Sequence, residues 1–179
     1  LFIRLEDIDM DASGNIYIAE TGADSVDLST YITNGGVIAG HLVPKHIGSN
    51  RYDDPYGRVL KLDPTTLGMT VLVEGGNGSD GKTNFASVDN IQIDRVRNII
   101  YLQEDLISGT RGRQPSYVTS SSSWVCEVYA LHLGVQNPTV NDLKRFANFP
   151  KGSEATGGYF TPDYMNFFIN VQHPASANG

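Results

Sequence analysis

Short runs in which apolar and polar residues alternate, separated by turn residues, fill this chain, and the 3.6-residue spacing of an amphipathic helix is nearly absent. The clearest run is Asp7-Ile8-Asp9-Met10-Asp11, then Ala12-Ser13-Gly14, then Asn15-Ile16-Tyr17-Ile18-Ala19-Glu20. Two short strands around a Ser-Gly turn predict a hairpin. The unit returns 83 residues on, where Asp11 falls on Asp94 and Asn15 on Asn98: Asn90-Ile91-Gln92-Ile93-Asp94, a turn, then Asn98-Ile99-Ile100-Tyr101-Leu102-Gln103-Glu104. A more diverged copy lies a further 68 residues along, with Gly158–Asp163 before its turn and Asn166–Val171 after it. Self-similarity at long period signals a repeat architecture.

Between the copies lie further strand-like runs. Gly57–Asp63 and Met69–Glu74 follow the first hairpin, and Val125–Leu131 and Asp142–Asn148 follow the second. A hairpin plus two strands makes four, the strand count of a propeller blade. The expected fold is therefore an all-β propeller of antiparallel four-stranded blades. One blade covers 1–74, a second 88–149 and a half blade 155–174, with long loops at 23–56 and 106–123. That is about two and a half blades, and a ring needs at least four. The remaining blades are expected from a longer parent chain or from another subunit.

Composition narrows the function. The 179 residues carry a net charge of −7 and a pI near 4.9, which argues against nucleic acid as a partner. No apolar run approaches a membrane span. The single cysteine, Cys126, excludes an internal disulfide and a cysteine-based zinc site, and its place in a strand-like run reads as half-buried packing.

An acidic chain has many plain uses for its carboxylates. Asp11 and Asp94 read as turn caps, Asp63-Pro64 and Asp80-Gly81 as turns, and Glu74 and Glu127 as solvated strand-face charges. Asp53-Asp54 reads as a cation site or a loop, and His41, His46 and His132 have no ligand spacing. Hairpin geometry singles out another set. The start of each first strand and the end of each second strand share a rim, which brings Glu6 and Asp7 with Glu20, Asp89 with Glu104 and Asp105, and Glu154 with Gln172 and His173 toward one opening. Carboxylates gathered there repel one another until a hard cation sits between them. Such a group can bind and polarise a phosphate ester.

Several stretches carry a resemblance. Arg4-Leu5-Glu6-Asp7, Gly57-Arg58-Val59, Asp89-Asn90-Ile91, Gln103-Glu104-Asp105, Glu154-Ala155-Thr156-Gly157-Gly158-Tyr159-Phe160-Thr161-Pro162-Asp163 and Phe168-Ile169-Asn170-Val171-Gln172-His173-Pro174 resemble, in order, the C-terminal half of PhoX-type alkaline phosphatases. The resemblance implies a six-bladed propeller, a phosphomonoesterase with iron and calcium on the propeller axis, and export to the periplasm or beyond. It places the metal-binding glutamates at Glu6, Glu104 and Glu154, and the rim residues Asp7, Asp89, Asp105 and His173 are candidates for the groups around them. It assigns no catalytic residue beyond these. Leu5 replaces the family's proline and Ala175 its glycine, and the family's iron-ligating cysteine has no counterpart here, since Cys126 does not match it. The first hairpin also resembles those of NHL-type and lactonase-like propellers, which leaves a second expectation: a non-catalytic binding scaffold with solvated carboxylates or a single structural calcium.

Overall fold

The computed structural model describes residues 2, 4–27, 47–48, 51–54, 56–76, 84–105, 125–150 and 152–173. The predicted 106–123 loop, the Asp80-Gly81 turn, His41 and His46 lie outside these residues. Thirteen strands and no helix are present among them. The first sheet has the order β1 (Leu5–Met10), β2 (Ile16–Glu20), β6 (Arg58–Asp63), β7 (Gly68–Glu74). The second runs β8 (Val88–Asp94), β9 (Ile99–Glu104), β10 (Glu127–His132), β11 (Lys144–Asn148). The third is the hairpin β12 (Glu154–Phe160) and β13 (Phe167–Gln172). Every pairing is antiparallel. Three short strands, β3 (Ala23–Asp27), β4 (Ile47–Gly48) and β5 (Arg51–Asp54), form a small sheet within the stretch read from sequence as a long loop.

The turn chemistry is local. Asp11 Oδ1 accepts the Ser13 and Asn15 amides at 2.8 and 3.0 Å, and Asp94 Oδ1 accepts those of Val96 and Arg97 at 2.9 and 2.8 Å. Both aspartates cap their turns as the sequence predicts. Asp63 does the same for Thr65.

Packing follows strand parity. On β9, Ile100 and Leu102 join a core with Tyr17, Ala19, Val59 and Val73 of the first sheet. Tyr101 points the other way, into a second core with Val128 and Ala155. A strand covered on both faces is apolar throughout, which explains the unbroken run Ile99–Leu102. Glu127 corrects an expectation. It is buried rather than solvated, and binds Arg145 Nε at 2.6 Å and the Tyr129 hydroxyl. Cys126 is fully buried.

The first strands of the three sheets lie side by side, β1 against β8 and β8 against β12. Their exposed amides are covered by side chains from the preceding sheet. Asp7 Oδ2 accepts Ile91 N at 2.9 Å and Asp9 Oδ2 accepts Ile93 N at 2.7 Å. Asn90, which stands 83 residues after Asp7, accepts Gly157 N at 2.7 Å. The repeat thus solves its edge-strand problem with one device used twice.

Candidate metal centre

Register brings the strand ends to a common rim. Leu5 faces Glu20, Val88 faces Glu104, and Glu154 faces Gln172, each beside a bulge near the start of the first strand. A second repeated feature fixes the residue that follows. Arg4 and Ser87 both adopt left-handed φ, at 58° and 52°, and their carbonyls accept the amides of Thr21 and Asp105 at 2.9 Å each. The latch turns Thr21 toward Asp89, whose Oδ1 lies 3.2 Å from the threonine hydroxyl. Asp105 continues the row Tyr101–Gln103 toward the third sheet, where Glu154 begins β12.

Asp89, Asp105 and Glu154 each offer a carboxylate oxygen within 4.8 Å of the others. All three are held above their ordinary pKa. For Glu154, burial acts first and then the charges of Asp105, Asp89 and Glu6, against the relief of Arg4, so that its carboxyl is pushed up to about 7. Asp89 rises through burial and the charges of Asp105 and Glu6, opposed by Thr21 and Arg4. Asp105 rises through burial and Glu6, opposed by Arg4 and by His173. The shared causes are burial first and then the charge of Glu6. A hard cation would offset both, and three oxygens at this spacing suit one. The donor set therefore fits a hard-cation site.

Around the triad, Glu6 is held by Arg4 Nε at 3.1 Å, and Arg4 Nη2 lies 3.8 Å from both Asp89 and Asp105. His173 follows β13, its ring 3.0 Å from the Gln172 amide. Asp7 is committed to the Ile91 amide. Glu104 stands apart. It is fully buried and turned into the second sheet, where Oε1 accepts Ala86 N and Oε2 accepts Glu127 N, both at 2.9 Å. Its counterpart Glu20 is equally buried and paired with Arg58 at 2.6 Å. Of the glutamates singled out from sequence, Glu154 thus sits in the triad, Glu6 beside it and Glu104 away from it. Asp89 and Asp105, read from sequence as surrounding groups, supply the other two oxygens. Strand parity was the signal for Asp105, which falls on the face of Tyr101, opposite to that of Glu104.

An antiparallel all-β chain whose hairpin ends gather carboxylates suited to a hard cation defines a class of metal-site β proteins. The match to the family model of alkaline phosphatase PhoX runs over residues 2–175, and the chain belongs to that family of metal-dependent phosphatases. No curated protein and no solved structure matches the chain.

Proposed function

We propose that the chain forms part of a β-propeller, with its sheets as blades and β1, β8 and β12 lining the axis, and that it hydrolyses phosphate monoesters at the rim. Asp89, Asp105 and Glu154 would hold the cations there, and Glu6 would add a further oxygen once it turns from Arg4. The observation that carries this reading is the triad, in which three carboxylates from two sheets lie within 4.8 Å of one another and burial and nearby acids raise the pKa of each. Such an arrangement is costly without a counter-charge.

Bound cations supply charge neutralisation for the phosphoryl oxygens and favour attack by a deprotonated water. The chain's own groups do the positioning. The Ser87 latch fixes Asp105, Thr21 fixes Asp89, and Arg4 supplies the one guanidinium that the structure places against the triad among the described residues. In the overall reaction water's oxygen replaces the alcohol on phosphorus, the ester P–O bond breaks, and a proton passes to the alcohol.

The test combines metal content with turnover. Elemental analysis of the chain within its complete protein should find iron together with calcium, and Glu154→Gln should lose bound metal and p-nitrophenyl phosphate hydrolysis together. A single calcium with no hydrolysis would favour the scaffold reading instead.

A further inference from the structure

Asn90 bridges the two sheets that supply the triad. Its Nδ2 donates to Asp89 Oδ2 at 3.0 Å, while its Oδ1 accepts the Thr156 hydroxyl at 2.6 Å and the Gly157 amide at 2.7 Å. We propose that Asn90 is a positioning residue: it turns Asp89 of β8 toward Glu154 of β12 and holds the two carboxylates at a fixed spacing. That one cation fills this spacing rests on the metal-site reading above; the positioning itself does not.

Asp89 needs such a guide. The ladder pairs Val88 with Glu104 and Asn90 with Gln103, so Asp89 is the extra residue of a bulge. Strand pairing therefore does not fix where its side chain points. Two side chains do so from opposite sides. The Thr21 hydroxyl, from the first sheet, lies 3.2 Å from Oδ1, and Asn90 Nδ2 holds Oδ2.

Glu154 has the matching tie. Thr156 follows it by two residues, ahead of the bulge between Thr156 and Tyr159, so both side chains leave the same face of β12. The hydrogen bond from the Thr156 hydroxyl to Asn90 marks that face as the one turned to β8. Asp89, Asn90, Thr156 and Glu154 thus form one short link across the seam between the second and third sheets.

The repeat supplies a control. Asp7 holds the place of Asn90, 83 residues earlier, and covers the Ile91 amide with one oxygen. Covering an edge amide takes only an acceptor, and a carboxylate serves at that first seam. Asn90 carries a donor as well, and the donor is what reaches Asp89. A carboxylate at 90 would set a further negative charge against the triad. Glu6, the residue before Asp7, takes its donor from Arg4 instead. An amide rather than an acid at 90 is therefore explained by the triad and not by the seam.

The experiment follows the link from its far end. Carbon-detected NMR on the full chain, at one pH and without metal, reads the Asp89 carboxyl resonance. Thr156→Val keeps the side-chain shape and loses the hydroxyl; it should shift that resonance, and the shift should vanish when Asn90→Ala is already present. Isothermal titration with calcium alone, well below the melting temperature, should show affinity lower by about tenfold or more in Asn90→Ala and by a smaller factor in Thr156→Val. A residue that merely covered the edge strand would lower the melting temperature and leave both readings at their wild-type values. An Asp89 resonance unmoved by Thr156→Val overturns the proposal. So does calcium binding by Asn90→Ala within about twofold of a wild type that binds it. The expected resonance shifts in a wild type that takes up no calcium uphold the positioning and defeat the metal-site reading alone.

Discussion

Glu104 and Glu154 both sit at the rim end of a hairpin, yet they live in opposite electrostatic worlds. Glu104 is sealed inside the second sheet with a backbone amide on each oxygen. Glu154 is half-buried among acids and carries a pKa near 7. Amide donors stabilise the charged form, while neighbouring carboxylates destabilise it. Register alone assigns the two residues to the same end of the fold. Side-chain direction decides that one becomes structural support and the other a member of the triad.

That contrast is broken most sharply by substitution at the triad. Asp105→Asn removes a charged oxygen from the group that faces Glu154, and bound metal and p-nitrophenyl phosphate turnover should both fall by about a hundredfold or more. Elemental analysis and steady-state kinetics check it. Glu104→Gln should leave metal content close to wild type, and this difference separates the two positions directly. A loss of metal in Glu104→Gln equal to that in Asp105→Asn would erase the comparison.

The next effect is on stability against pH. Glu154, Asp89 and Asp105 have folded pKa values raised above their unfolded ones. The folded state thus binds more protons, so their contribution is fully present below about pH 4.5 and is lost as pH rises toward 7. The metal-free chain should therefore melt at a lower temperature at pH 8 than at pH 5.5. Calcium should restore the melting temperature at pH 8 and do little at pH 5.5, where protons compete for the same oxygens. A thermal melt series with and without calcium measures both. A rise in melting temperature from pH 5.5 to 8 without metal would contradict the shared raised state of the triad.

A smaller loss is expected for the fold itself in Glu104→Gln. The amide offers one acceptor where the carboxylate offers two, so one of the Ala86 and Glu127 amides is left facing a donor. The cost is about 1–3 kcal/mol, read as a melting temperature lower by several degrees.

Much of this was legible in the residues, and the part that was not has a definite cause. Asp11 and Asp94 declared their turns, because an aspartate capping its own backbone is a local interaction. The alternating runs declared the hairpins, and the return of Asp11 at Asp94 declared a second sheet like the first. The rim could be read as well, since an antiparallel pair puts its first and last residues together. Harder to read was which side chain at the rim turns toward the opening. Glu104 and Asp105 are neighbours in sequence and face opposite ways, and counting back to Tyr101 on the same strand separates them. Glu127 was misjudged because Arg145, on β11, reaches it only through the sheet, although Tyr129 stands two residues along the same strand. Arg4 was noticed as a motif letter and not as the cation beside the acids, because its left-handed backbone is what turns it there.

A comparable effect on stability alone tests the Gly157–Gly158 bulge of β12 against the buried Gln103. A methyl at Gly158 would meet Gln103 Nε2 at 2.5 Å and the Phe167 ring at 2.9 Å, both too close for a real contact. The glutamine amide is the end of a flexible chain, and the ring is wedged between Phe160, at a centroid distance of 4.4 Å, and Tyr101, at 5.0 Å. Gly158→Ala should therefore cost about 1–3 kcal/mol, with the ring as the stiffer obstacle. Gln103→Ala removes an amide that has no partner but leaves a buried cavity, so on its own it should still destabilise the fold. Combining the two should recover part of the loss, leaving the share due to Phe167. A double-mutant cycle of melting free energies reads that share as the residue of non-additivity. Strict additivity would mean that Gln103 does not press on the bulge, and that the aromatic ring alone opposes a methyl at Gly158.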